Sequence, residues 1–446
     1  METISHLNVN IEGIEFAKLI DFEISHKINE HAVAVIKGEV DADKAMKIAQ
    51  RIDEKIKVKI TTTAEGQPNI LYVGVVTNVA VENISDYAVL TVYCKSYSYL
   101  SDIEKEYKSY QNTTRTHEYI LNAALQGKAI VSMEIADSAI GKMIVQCNET
   151  DWEFSKRIAS MLGVSIITSI NSQVPVFYLG FPANQKSVYL PYAELLSDED
   201  ENSTCIKTNQ YMFLGTEVVC CDTIYRVKYI KTSFEKGVLI ATVGLGTKRN
   251  FEQKQIGNAN ITGKIYIGEV KDVKRDKVKV HLVDIDAVYD ATTNVWLPYS
   301  TTYSSADGSG FYCMPAKGDR VRVFFPGIDE GGAFVASSES KNPAGKTTHK
   351  QWMGPGGKKL LMTEEGIYIT GGNANTSIFI NLTDASGITI SSDNNITICA
   401  KNNLSLISNN NVSITAENDI LISSAESYID ITPKGIEVGA ENIVIK

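Results

Sequence analysis

Between Ile388 and Ile422 the apolar residues recur at a step of eight: Ile388 and Ile390, Ile396 and Ile398, Leu404 and Leu406, Val412 and Ile414, Ile420 and Ile422. Side chains at i and i+2 share one face of a strand, so each octad reads as a short strand with two apolar side chains inward. Asn394-Asn395, Asn402-Asn403, Asn410-Asn411 and Asn418-Asp419 separate the pairs in constant phase. Asn and Asp tolerate left-handed backbone, so each pair suits a corner. An even step keeps the apolar pair on the same side from rung to rung. The pattern predicts a β-solenoid.

Eight residues cannot close a coil. A turn with an apolar lumen needs three sides, about twenty-four residues here, because one repeat cannot bury its own face. One chain wraps three octads per turn, or three chains intertwine and supply one side each. With strands about 4.7 Å apart, roughly ten octads make a stub of about 16 Å in the first case and a needle of about 47 Å in the second. The stub has little core, so the expectation is an intertwined homotrimer. Past the regular octads the phase returns at Ile436, Val438 and Val444, but Tyr428 and Asp430 interrupt it and Ile429 and Ile431 are apolar instead. With Pro433 and Gly435 close behind, a bulge or bend is expected there.

The chain ahead of the octads reads as mainly β with a few helices. Alternation marks strands over 55–62, 71–81 and 88–93, with a turn at Gly66, Gln67 and Pro68. Helical spacing appears over 43–52, and again after Thr116 through Ile120, Leu121, Ala124 and Leu125. Thr150 followed by Glu153 is a capping-box pattern; Phe154, Ile158, Met161 and Leu162 line one face, and Gly163 ends the helix. Asp151 and Glu153 therefore read as a helix start and not as a catalytic acid pair. Strands follow over 211–231 and 238–245. The acidic run 198–201 lacks the glycine bend of a calcium loop and reads as solvated. Five or six short strands over 261–338 suit a small closed barrel of the OB type. The expected organisation is a hub of β-barrel-like subdomains over 1–255, the OB-fold-like barrel over 261–338, a linker over 339–358 and a β-helix spike over 359–446.

Asn148, Glu149, Thr150, Asp151, Trp152, Glu153 and Phe154, with Lys156, Arg157, Ile158, Ala159, Leu162 and Gly163, resemble the signature of the VgrG and phage late-control hub proteins. Ser96 to Ile103 and Lys108 to Gln111 are similar to the preceding stretch of that hub. Pro315 to Pro326, followed by Gly331 to Val335, resemble the barrel that precedes the needle in such spikes. The order of hub, barrel and needle runs over nearly the whole chain. The resemblance implies a trimeric baseplate hub and membrane-puncturing spike of a contractile injection system: phage tail, phage-tail-like bacteriocin or type VI-like. It also implies contacts with tail tube and baseplate proteins, a separate PAAR-type tip protein, cargo, and transient contact with a target envelope.

Composition narrows the alternatives. The formal net charge of −10 and the absence of a Lys/Arg cluster argue against nucleic acid as a partner. No apolar run spans a membrane and Met1 is not followed by a signal-peptide pattern, so synthesis in the bacterial cytoplasm is expected. Seven cysteines without CxxC spacing suit a reducing compartment, with Cys220 and Cys221 read as ordinary strand residues. Six scattered histidines form no HExxH pattern and no GxSxG occurs, so no catalytic, metal or cofactor residue is assigned. Two other classes remain: a solenoid that binds or cleaves carbohydrate, and a trimeric receptor-binding tail fibre.

Overall fold

Apolar alternation in the first hundred residues builds antiparallel strands; Val33–Asp41 buries every second side chain, while Asn69–Ile84 buries a continuous run near its start. The structure, a computed structural model, describes residues 4–50, 56–63, 69–183, 185–190, 196–198, 203–220, 223–340, 346–372 and 376–445. The expected turn at Gly66, Gln67 and Pro68 and the acidic residues 199–201 lie outside these. Among the described residues the chain is mainly β with three α-helices, in two compact units, Met1–Lys341 and Asn342–Lys446.

In the first unit Lys57–Thr62 pairs with Asn69–Ile84, which pairs with Tyr87–Ser96, which pairs with Val33–Asp41. Lys18–Lys27 continues that sheet and also pairs with Thr223–Glu235, so strands from both ends of the hub share one sheet. Phe22, Ile24, Ile36, Ile60 and Leu90 fill the core on one part of it, and Ile206, Val218, Val243 and Leu245 on the other. Cys220 is a buried free thiol.

The helices are α1 (Ala42–Ala49), α2 (His117–Leu125) and α3 (Asp151–Met161). Each starts at an oxygen-bearing cap, Asp41, Thr116 and Thr150, which satisfies an otherwise free N–H. Past α3, Gly163 adopts φ +71, the left-handed conformation that ends a helix cheaply.

The barrel is a five-stranded sheet in the order Leu297–Pro298, Lys277–Leu282, Ile265–Lys274, Arg320–Phe324 and Phe334–Ser338. A bridge between Tyr299 and Val335 brings its two ends together. Its core of Val270, Val280, Val321, Val323 and Phe325 also takes in Met143, Val145 and Cys147, so barrel and hub share one apolar cluster.

The second unit departs from a single continuous coil. Lys350–Met353, expected in the linker, is a strand paired with Lys359–Met362, and the sheet continues through Gly366–Thr370, Ile378–Thr383 and Gly387–Ser392 as an antiparallel meander. A second meander joins Ile420–Ser424, Ser427–Thr432 and Gly435–Gly439. The phase break at Tyr428 is therefore a reversal of chain direction and not a bulge. Ala425, at φ +50, and Gly435, at φ +153, stand at the two hairpins. Between the meanders, bends fall at 393–394, 401–402, 409–410 and 417–418. They keep the step of eight, one residue ahead of the asparagine pairs.

His26, opposite Ile230 at the pairing that joins the two parts of the hub sheet, is 2% exposed, and its Nε2 lies 3.2 Å from Thr168 Oγ1. Burial, aided by the nearby His31, pushes its pKa down to about 3. The unfolded chain thus binds a proton below about pH 6.5 that the folded chain refuses. The stability from neutral His26 is complete above that pH and is lost as pH falls toward 3. Acid unfolding should steepen by up to about 1.4 kcal/mol per pH unit in this window, and His26→Asn should flatten the slope measured by denaturant titration between pH 4 and 7.

Candidate assembly interface

The register of the second unit lines apolar residues into rows across its strands. Trp352, Leu360, Ile369, Ile380 and Ile390 are successive cross-strand partners, as are Met362, Ile367, Leu382 and Ile388. In the last meander the rows are Ile420, Ile431, Ile436 and Ile422, Ile429, Val438. Every strand from Lys359 onward therefore adds two apolar side chains to one face, and the octads carry the same pair. The hairpins change the sequence step between pairs, while the octads preserve it.

In a single chain these residues do not form a core. Of the ten octad residues, Ile388, Ile390, Ile396, Ile398, Leu404, Leu406, Val412, Ile414 and Ile422 are exposed and Ile420 is half-buried. Ile388 is 70% exposed and Leu406 69%. Every residue from 393 to 419 is exposed, and none of 394–419 makes a backbone–backbone hydrogen bond among the described residues. Ordering a backbone costs roughly 1–2 kcal/mol per residue, and this segment offsets none of that by burial within its own chain. Isolated exposed apolar residues are ordinary, but a contiguous apolar face marks an interaction site. The opposite face of the five-stranded meander is more polar, a groove of about 760 Å³ lined by residues including Lys359, Tyr368, Thr370, Phe379 and Asn381.

In the first unit the motif residues are structural. Thr150 and Glu153 form the expected capping box, with Glu153 N–H donating to Thr150 Oγ1 at 3.1 Å and Thr150 N–H to Glu153 Oε2 at 2.9 Å. Trp152 and Phe154 are buried with Ile120, Leu121 and Leu125. Asp151, also buried, receives Lys128 Nζ at 2.8 Å. Thr150 Oγ1 donates to Asp102 at 2.6 Å, and Asp102 lies 3.2 Å from His31 Nε2. His31 Nδ1 is 2.8 Å from Ser98 Oγ, which gives a Ser–His–Asp chain. A serine nucleophile must reach a substrate carbonyl, but Ser98 is fully buried and its Oγ also bonds Ser96 Oγ at 2.8 Å. The trio is a polar brace inside the hub.

Arg157 is the centre of a network that the helix pattern did not single out. Its guanidinium donates to both Glu149 oxygens at 2.7 and 2.8 Å, to Glu330 Oε1 at 2.9 Å and to the Val145 carbonyl at 2.8 Å. Asn258 Nδ2 donates to Glu330 Oε1 and to the same carbonyl. All four side chains are buried. Burial alone would lower the Arg157 pKa, but Glu149 and Glu330 outweigh it and raise it. The network ties α3 to the strand Ile144–Thr150 and to the barrel. Lys142 with Asp329 at 2.7 Å, and Ser109 N–H with Asp286 at 2.7 Å, reinforce the same joint. Among the described residues no group of three or more His, Cys, Asp or Glu could hold a metal, and no helix is long and apolar enough to cross a membrane.

No protein-family model matches the sequence, and no curated protein matches it. Solved structures do. The E. coli c3393 protein, described as a component of the type VI secretion system similar to T4 bacteriophage tail proteins gp27 and gp5, aligns over 74% of this chain and 99% of its own at 12% identity, with a TM-score of 0.53. A chain of the half-lidded Francisella PdpA–VgrG complex aligns over 86% of this chain and 87% of its own at 7% identity and TM-score 0.52. At such identities the likeness is one of fold: the chain has the architecture of VgrG-like and gp27–gp5-like spike proteins.

Replacing Arg157 with Met should strand two buried carboxylates. A loss of about 3–5 kcal/mol is expected, against about 1 kcal/mol for Thr150→Ala, which removes the cap. Denaturant midpoints of the full chain, measured side by side, check both the size and the order.

Proposed function

We propose that three copies of this chain intertwine through their second units into a stiff spike, and that the assembly is the central hub and puncturing spike of a contractile injection machine. The observation that carries this reading is the exposed two-row apolar face, with a backbone over 394–419 that makes no backbone–backbone hydrogen bond among the described residues. Apolar side chains repay burial at about 1.5–3 kcal/mol each, and within one chain these find nothing to bury against. Two further copies would cover the face and pair the free strand edges together. A single-chain solenoid gains no support, since the octads build no coil of their own.

In this reading residues 1–255 join the tail tube and baseplate, residues 261–338 form the neck, and residues 359–446 are driven through the target envelope when the sheath contracts. The chain's work is mechanical and needs no cofactor. The Francisella relative is seen in a complex with PdpA, and by analogy a PAAR-type tip protein and cargo would ride with this spike.

Light scattering on the full chain should give three times its 49.0 kDa mass. Leu404→Asn combined with Ile414→Asn should abolish that trimer. Exposed substitutions in a lone chain change stability by no more than about 0.5 kcal/mol, so a large loss requires that partners cover these positions. A monomer at micromolar concentration, or a trimer indifferent to both substitutions, would sink the spike and return attention to the carbohydrate-binding and receptor-binding alternatives.

A further inference from the structure

The octad corners carry charge in a pattern that distinguishes two ways of winding. The residue before each Asn-Asn or Asn-Asp pair is Asp393, Lys401, Asn409 and Glu417 in turn. All four are exposed, and each opens one of the bends that recur at the step of eight. One oxygen of Asp393 accepts the Ser377 N–H, which leaves the other available, and Lys401 stands in solvent.

Neighbours along a stack of strands depend on the number of chains in the coil. In a single chain with three octads per turn, each residue stacks on the residue twenty-four positions later, about 4.7 Å away. Asp393 would then lie against Glu417, two like charges. With three chains wound together, each rung is followed by the next octad of a neighbouring copy, so each residue stacks eight positions on. Asp393 then meets Lys401 of the neighbouring copy, and Asn409 meets Glu417. The pair positions stack Asn on Asn, or Asn on Asp419, in both windings, so the charged residue before each pair is what separates them.

We infer that Asp393 of one chain and Lys401 of the next form an interchain ion pair that favours three-chain winding, the occupant of this surface being a second copy of this chain. The inference rests on the trimeric reading. An exposed pair contributes little raw stability. Its value is in discrimination, because the competing winding replaces attraction by repulsion.

Cysteine pairs test it in the full chain, with Cys313→Ser and Cys399→Ser removing the thiols exposed among the described residues, and Cys221→Ser added as a precaution. Stacked neighbours fall within the Cα separation a disulfide spans, about 4.4–6.8 Å. Positions 393 and 401 of the same extended chain are about 26 Å apart. Mild oxidation of Asp393→Cys/Lys401→Cys should therefore deplete the monomer band on a non-reducing denaturing gel, giving linked dimers and trimers that collapse on reduction. Asp393→Cys/Glu417→Cys should run as a monomer on the same gel with both introduced thiols still open to alkylation after oxidation, whereas an intrachain disulfide would leave neither. The reverse result, a 393–417 disulfide within one chain and silence at 393–401, overturns the inference, as does silence at both pairs. If light scattering still reports a trimer in those cases, the trimeric reading survives and only the winding is wrong. A monomeric mass removes both.

Discussion

A backbone segment with no backbone partners of its own is the constraint around which the second unit is arranged. Buried or ordered N–H and C=O groups must be paired, and apolar side chains must leave water. Inside one chain residues 394–419 leave their apolar side chains exposed and make no backbone–backbone hydrogen bond among the described residues, with only Asn394 and Asn410 N–H donating to the nearby Ser392 and Ser408 hydroxyls. The meanders on either side satisfy most of their strand edges through hairpins, yet each still presents an unburied apolar face in the same two-row arrangement. The unit is thus uniform in what it offers and incomplete in what it satisfies. A needle assembled from three such units would gain stiffness from this incompleteness, because no rung could open without breaking bonds to other chains.

The first unit meets the opposite demand, which is to hold a barrel rigidly against a hub. An apolar cluster shared between the strand Ile144–Thr150 and the barrel supplies much of the contact area. Hydrophobic contact is non-directional, however, and alone it would let the two slide. Arg157, donating to Glu149 and Glu330 at once, adds direction to that contact. A buried ion pair is weak as a source of stability but strong as a specification of geometry. The joint between barrel and hub uses the second property.

Much of this was legible in the sequence, and the exceptions share a cause. The capping box and the barrel strands are local patterns, and they appear where the periodicity puts them; of the octads only the recurring bends appear, since residues 394–419 carry no strand. The continuation of the apolar rows through Trp352, Leu360, Ile369 and Ile380 was missed because hairpins reset the step between pairs, and a fixed period is visible only while the chain keeps one direction. Ile429 and Ile431 looked out of phase for the same reason. They lie in register with Ile422 and Ile420 across a turn. Arg157 and Glu330 are 173 positions apart, and no local signal pairs them. A charged residue inside an otherwise amphipathic helix face was the one available hint. The pairing of His26 with Ile230 is hidden likewise.

The mixture of hairpins and octads also has a kinetic logic. Pairings close in sequence form quickly, because little loop-closure entropy precedes the first contact. The five-stranded meander is made only of such pairings, so each chain can form it alone. In the proposed trimer the octads cannot begin to pair until three chains stand side by side, and three such segments would meet in many registers. Folded meanders ahead of the octads restrict that choice by holding Ile388 and Ile390 in a fixed row before the first corner is turned. The last meander, beginning with Ile420, then gives the zippered segment a second ordered end. Local folding at both ends would lower the entropic cost of the proposed intermolecular pairing between them, and a lone chain supplies no backbone pairing there.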